Sequence, residues 1–313
     1  MSVAGFETKL VAAQTAVESS FQQVFKGDSL TNQYSAITSE IQTDSLKNEI
    51  VLLDHLGTVK EWVGEKQFED ARAYSRTETM KFYYKTLALK RSELQYNSSG
   101  TVAAMAANFA SDAATMLDKL VIDKLSANPT CYDGVSLVSA SHPNGAGGAT
   151  WSNSSSNALS ESELRSAIIA MQKFQRENGE YYGINPTHLM VGPDLQHLAK
   201  ELVGDTRPVG VTAAGVWPAT GSAVAAAGIQ NVIGGSIQVI VSPRFDSNDW
   251  LLMDLSRGNL RPMSLFVGRK PELIHDGSMT AGDRYKRDLF TWSIEFDAVA
   301  AAGLPQLCFG RID

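Results

Sequence analysis

The stretch TCYDGVSLVSASHP, residues 130–143, brings Cys131, Asp133 and His142 close in sequence, in a chain with two cysteines and five histidines. Such residues serve a thiol nucleophile with its base, part of a metal site, or a loop whose reactive side chains only pack. Covalent catalysis by Cys131 needs a base within hydrogen-bond reach and a group that orients the base. The charge nearest Cys131 in sequence is Asp133, and a carboxylate works against thiolate formation. Zinc needs three or four ligands, and the chain has no HxxxH, HExxH or second cysteine at ligand spacing. His55, His188, His197 and His275 occur singly, which suits structural histidines. Gly145-Ala146-Gly147-Gly148 lacks a preceding strand and a Lys-Ser/Thr ending, so neither a P-loop nor a dinucleotide fingerprint is present. No catalytic, cofactor or metal site is expected. Cys131 is expected to be a buried small residue and His142-Pro143 a turn.

The elements around this stretch fall into two subdomains with two appendages. At 313 residues the chain exceeds the usual single core, and 43% hydrophobic content suffices for burial. A charged fraction of 19% is low and favours an oligomer. The net charge of −7, with no Lys/Arg-rich run, argues against gripping nucleic acid. Glu7 and Lys9 interrupt the opening residues, which predicts neither a signal peptide nor a membrane span. The Asn97 and Asn153 sequons therefore carry no weight in what reads as a soluble protein of a reducing compartment.

Residues 1–58 read as thinly helical, with Leu10, Val11, Ala13, Val17, Phe21 and Val24 near helical spacing. Residues 59–96 alternate charged and aromatic types. Met80, Phe82, Tyr84 and Thr86 share one parity, and Lys81, Tyr83, Lys85, Leu87, Leu89 and Arg91 the other. This predicts an exposed extended ribbon rather than a core sheet. Residues 100–126 predict a helix of about 40 Å, with a stripe of Met105, Phe109, Ala113, Met116, Leu120 and Leu125, ending at Asn128-Pro129. Ser160 to Glu163 reads as a capping box for a helix ending at Asn178-Gly179. Strands at 188–191, 237–241 and 250–255 and a helix from Pro193 to Val203 complete an α/β block over 160–258. Residues 205–235 read as a long loop with short strands. Met263, Leu265 and Val267, and then Phe290, Trp292, Ile294 and Phe296, predict long strands with one buried face.

The segment KEWVGEKQFEDARAYSRTETMKFYYKTLALKRSEL (60–94) resembles the major head proteins of phage Mu and its prophage relatives. So do CYDGVSLVSASHP (131–143), WLLMDLSRGNLRPMSLFVGRKPE (250–272) and the closing strands, in order from about residue 55 onward. The resemblance implies an α+β, Hong Kong 97-like capsid fold. Residues 1–58 would be the N-terminal arm and 59–97 the E-loop. Residues 98–158 and 259–313 would form the P-domain with its spine helix, and 159–258 the A-domain. It implies a non-enzymatic subunit of a tailed bacteriophage or prophage. Such a subunit assembles with itself into hexamers and pentamers of an icosahedral shell around double-stranded DNA. Scaffold and portal proteins would be partners during assembly in the host cytoplasm, and the virion the final location. The DNA would lie on the inner face without sequence-specific binding, with no membrane or cofactor involved.

The expected intersubunit contacts are Lys81, Phe82, Tyr83, Tyr84, Lys85, Lys90 and Arg91. The aromatics would be buried against a neighbour, and the cations would meet Glu69, Asp70, Asp118 or Asp123 of another copy. Lys81, Lys85 and Lys90 are eligible for covalent cross-linking, but no motif marks them. Rival readings are an encapsulin-like cellular compartment and a Cys/His hydrolase.

Overall fold

The computed structural model describes residues 3–26, 33–53, 73–96, 99–144, 149–176, 179–204, 206–207, 229–230, 235–275 and 289–312. The chain opens with helix α1 (Val3–Lys26), then α2 (Gln33–Ile37), β1 (Thr38–Gln42) and β2 (Lys47–Leu53). Residues 38–42 and 47–53 are thus strands where thin helix was expected. Thr38, Ile41, Ile50 and Val51 are β-branched, and a place beside a long strand satisfies the β1 backbone. Next come β3 (Ala73–Thr79), β4 (Lys81–Lys90), α3 (Arg91–Tyr96), α4 (Ser99–Ser126), β5 (His142–Asn144), β6 (Ala149–Trp151) and α5 (Glu161–Gln172). They are followed by β7 (His188–Val191), α6 (Gln196–Val203), β8 (Thr206–Arg207), β9 (Ile229–Gln230), β10 (Gln238–Val241), β11 (Trp250–Met253), β12 (Met263–His275), β13 (Leu289–Ala302) and β14 (Cys308–Arg311). The expected markers at 54–72, the Gly145–Gly148 run, Asn178 and most of the 205–235 loop lie outside the described residues.

The chain divides into two units. The first comprises Met1–Glu49, Thr77–Ile122 and Ser264–Ala301. Its centre is a four-stranded sheet of order β1-β12-β13-β4, so β4, expected in an exposed ribbon outside any core sheet, is instead a sheet strand paired along its length with β13 and burying Leu89. Period-two alternation along β13 buries Phe290, Trp292, Ile294 and Phe296 on one face, as the sequence pattern predicts. Ala13 and Val17 of α1 and Ala106 of α4 join Leu89, Phe290 and Trp292 in one apolar cluster. Phe109 and Ile294 form a second, with Phe21, Leu87 and Leu273 packed against it.

The buried stripe of α4 keeps Phe109 and Leu125 of the expected one and departs from it at Met105. Ala106, Phe109, Ala110, Leu117 and Val121 are buried, while Met105 is 41% exposed. Ala106 and Ala110 share the buried face with Phe109, and Met105 lies off it.

The second unit comprises Ile50–Arg76, Asp123–Met263 and Ala302–Asp313. Its sheet has the order β10-β7-β11-β14, with β10 parallel to β7 and both β11 pairings antiparallel. Its strands are short apolar runs, and β11 is buried along its whole length. Helix α5 starts where the capping pattern predicts: the Ser160 hydroxyl accepts the Glu163 N–H at 3.2 Å. The Glu163 carboxylate does not close the box but accepts hydrogen bonds from Ser155 and Asn157. Leu164, Met171 and Phe174 of the predicted face are buried in the core around Trp250 and Phe309.

Two positions in this unit are tightly constrained. A Cβ on Gly310 would lie 2.1 Å from the Trp250 carbonyl oxygen, and one on Gly303 2.4 Å from that of Arg261. Asp254, 1% exposed, accepts hydrogen bonds from the Ser256 N–H and hydroxyl, the Asn185 N–H and Arg257 Nε. Burial alone would raise its pKa, but the hydrogen bonds from Ser256, Asn185 and Arg257 outweigh burial and hold the carboxyl below its ordinary range.

Gly310→Ala is expected to cost on the order of 3 kcal/mol, because backbone rather than a flexible side chain blocks the methyl; denaturant unfolding measures it. The depressed Asp254 carboxyl stabilises the fold fully above the unfolded-state value near pH 4, and less as pH falls through the lower folded value. Asp254→Asn is therefore expected to show its largest stability deficit at neutral pH and a shrinking one toward strong acid. A deficit of equal size at both pH values, read by thermal melts, would contradict this assignment.

Candidate assembly surface and buried polar centre

The residues that suggested chemistry meet at a buried centre in the second unit. Helix α4 ends at Asn128, whose φ of 47° is the left-handed conformation that stops a helix. The Asn128 side chain then holds the Val138 backbone, accepting its N–H at 2.8 Å and donating to its carbonyl at 2.9 Å. Between them lies the predicted turn at Asp133-Gly134. Gly134 has φ +81°, and Asp133 Oδ1 accepts the Val135 N–H at 3.0 Å.

His142 is fully buried in β5, paired with Trp151 of β6 and stacked on its ring at 4.6 Å. It is therefore a core residue and not a turn residue as expected. Its Nδ1 lies 2.6 Å from Asp133 Oδ2, and its Nε2 lies 3.1 Å from Asn153 Oδ1. The Asn153 amide orientation follows from its partners. Its Nδ2 donates to the carbonyls of Leu137 (2.7 Å) and Pro305 (3.0 Å), while Oδ1 accepts the Ser139 N–H (2.8 Å). The oxygen thus faces Nε2, which must carry hydrogen. On the other side Nδ1 is in hydrogen-bond contact with the Asp133 carboxylate. Both ring nitrogens are committed to Asp133 and Asn153, and neither is directed at a thiol.

Cys131 and Cys308 are free and buried. Burial pushes the Cys131 thiol far up, and proximity to Cys308 and Asp133 adds to the shift. Burial pushes Cys308 up to about 12, although Asn153 donates toward its sulfur. Neither thiol is suited to attack at neutral pH. His188 is bonded to the adjacent Thr187 hydroxyl at 2.9 Å, and burial lowers its pKa. Among the described residues, no three His, Cys, Asp or Glu side chains converge to hold a metal ion. Asn153, the residue that organises this centre, was missed in the sequence: it stands in a serine-rich run, and neither its spacing nor its neighbours mark it.

The expected contact residues lie on and beside β4 in the first unit. Antiparallel pairing runs without a break from Leu289↔Lys90 to Ala298↔Lys81. It sets Leu89 and Leu87 against the core, and Tyr83 stacks on Phe296 at 5.2 Å. Lys85 is on the same face, ion-paired to Asp112, with its ammonium 5.8 Å from the Phe109 ring centre. The opposite face presents Phe82, 64% exposed, and Tyr84, 78% exposed. Their cross-strand neighbours Asp297 and Glu295 are both held by Arg269 at 3.3 Å. Beside Phe82 is a cleft of about 230 Å³ lined by Leu46, Met80 and Arg269 among others. Lys81 and Lys90 are exposed at the strand ends, and Arg91 begins α3; its side chain lies outside the described residues.

Several expected partners are therefore already engaged within the chain. Tyr83 and Lys85 have partners of their own, Asp118 accepts the Tyr34 N–H at 2.8 Å, and Asp123 is 3.6 Å from Arg244. Glu69 and Asp70 lie outside the described residues. Phe82 and Tyr84 are the aromatic side chains that β4 presents to solvent.

A two-unit α+β chain with this sheet and long helix is the Hong Kong 97-like capsid fold. Its backbone superimposes on the procapsid of bacteriophage JBD30 with a TM-score of 0.54 and 14% identity, covering 100% of this chain and 76% of that one. The mature capsid of bacteriophage PhiM1 gives 0.56 and 11% identity, covering 91% and 87%. A family model described as the Mu-like prophage major head subunit gpT matches residues 10–158 and 151–243. The chain belongs to that family. It is 25% identical over 136 residues to the major capsid protein of Escherichia phage Mu, and this match covers 42% of the chain but only 45% of the Mu protein.

Asn153→Ala is expected to cost roughly 3 kcal/mol or more, since it strips partners from two carbonyls, an N–H and the His142 ring together. Chemical denaturation checks this. Cys131 and Cys308 are expected to resist a thiol-specific disulfide reagent in the folded protein and to react promptly in denaturant; rapid labelling of the native chain would contradict their placement.

Proposed function

We propose that this chain is the major capsid subunit of a tailed bacteriophage or prophage head, assembling with copies of itself into a closed icosahedral shell around double-stranded DNA. The observation that carries this reading is the match of the head-subunit family to residues 10–158 and 151–243. The capsid fold supports it independently. In this reading residues 1–58 form the N-terminal arm and 59–97 the E-loop, whose outgoing strand β4 doubles as an edge of the P-domain sheet. Residues 98–158 and 259–313 complete the P-domain, and 159–258 form the A-domain around capsomer axes. Scaffold and portal proteins join during assembly in the host cytoplasm, and the virion is the final location. The net charge of −7 suits a container whose DNA must move without adhering.

The exposed pair Phe82 and Tyr84 is the apolar part of the intersubunit contact, flanked by Lys81, Lys90 and Arg91. Aromatic side chains dominate interface energies, whereas exposed ion pairs contribute about 0–1 kcal/mol each. Repetition of a modest contact over every subunit makes the shell cohesive.

Phe82→Ser and Tyr84→Ser are expected to leave the circular dichroism of the subunit intact and to abolish or sharply reduce closed particles in electron micrographs. Lys85→Ala, which removes an exposed pair within the chain, is expected to assemble nearly normally. Wild-type chain that stays monomeric at high concentration would overturn the capsid reading.

A further inference from the structure

The cleft beside Phe82 has an apolar wall and an acidic one. Leu46, Met80 and the Phe82 ring supply the first, and Asp44 and Asp297 stand in the same lining. Both carboxylates have bonding capacity to spare. Asp44 is exposed in the loop between β1 and β2, and no hydrogen bond or ion pair engages it among the described residues. Asp297 gives Oδ1 to Arg269 at 3.3 Å, and its Oδ2 has no bonded partner among the described residues. The cation in the lining, Arg269, is already shared between Asp297 and Glu295, and the adjacent Lys270 is paired with Glu40. Three carboxylates around the cleft therefore face one guanidinium, beside an exposed aromatic ring.

Gly268 is also part of the lining. It lies inside β12, outside the left-handed backbone region, and no backbone crowding demands a glycine there. A Cβ at this position would meet Asp297 Cβ and Met80 Cε at 3.4 Å and the Thr43 carbonyl oxygen at 3.6 Å, which are ordinary contacts. Glycine weakens a strand interior and is found where a ligand approaches closely. What the absent side chain provides at 268 is room in the cleft.

At about 230 Å³ the cleft is smaller than sites for drug-sized molecules, which points to a short ligand. An alkyl stem suits Leu46 and Met80, and an ammonium group beside Phe82 gains a carboxylate together with the negative face of the ring. One ammonium satisfies one carboxylate; two on a single stem satisfy both. We infer that this cleft binds a short linear diamine, with one ammonium at Asp297 and Phe82 and the other at Asp44. Binding braces the loop 43–46 against β4, β12 and β13, and stabilises the first unit by mass action. The inference goes beyond the capsid reading and does not depend on it.

Calorimetric titration of dispersed subunits of the full chain with 1,4-diaminobutane, 1,5-diaminopentane and n-butylamine is the test. The expected result is one saturable site per chain for a diamine, roughly fivefold tighter than for butylamine and weakening as salt is raised. Asp44→Asn is expected to bring the diamines down to the butylamine level. Asp194→Asn, which removes an exposed carboxylate of the second unit, is expected to leave them unchanged. Gly268→Ala keeps every charge and is expected to weaken all three amines several-fold by filling the cleft. Thermal melts without ligand check folding, and Asp44→Asn, at an exposed loop position, remains decisive if Gly268→Ala does not fold.

Equal affinity for diamines and butylamine overturns the inference in favour of a seat for a single ammonium, such as a lysine side chain. Binding that does not saturate, or that Asp44→Asn leaves undiminished, overturns the site itself. Neither result touches the capsid reading, which is tested by particle formation.

Discussion

The antiparallel register between β4 and β13 is the constraint on which the first unit depends. Pairing Leu89 with Phe290 and Leu87 with Trp292 puts four large apolar side chains on the face toward α1 and α4. Because side chains alternate across a strand, the same register puts Phe82 and Tyr84 on the other face. A slip by one residue would bury Tyr84 and Thr86 and expose Leu87 and Leu89, at the cost of the core. Stability and the assembly surface are therefore set by a single choice of partner residues. The surface cannot be lost by slippage without unfolding the unit that carries it.

The second unit is organised differently, around polar residues taken out of water. Asn153 ties residues 137–139, His142 and the turn at Pro305 through one amide, and Asp254 ties Asn185 to the 254–257 turn through one carboxylate. Buried groups of this kind are costly when unpaired, and here they are bonded in several directions at once. Residue types that elsewhere run catalysis serve here to hold loops in single conformations. His142 and Cys131 are both buried in this unit.

Much of this was legible in the sequence, and the misses have physical causes. The alternation along Phe290–Phe296, the cap at Ser160, the helix stop at Asn128 and the Asp133-Gly134 turn depend on neighbours within a few residues, and all stand where local pattern puts them. The strands at residues 38–42 and 47–53 were hidden because their stability comes from pairing rather than from an apolar period. The burial of Ala106 and Ala110 in α4 was hidden because alanine reads as neutral in sequence. Asn153 was hidden because its partners lie up to 155 residues away.

For the candidate surface, the sequence by itself determined that residues 81–90 would be extended, with aromatics on both parities and cations among them, since that follows from side-chain type and a period of two. Only the tertiary structure decided which parity is solvent-facing. It turned Tyr83 onto Phe296 and Lys85 onto Asp112 and left Phe82 and Tyr84 outside, because the sidedness of a strand is chosen by the strand beside it, and β13 lies some two hundred residues further along the chain.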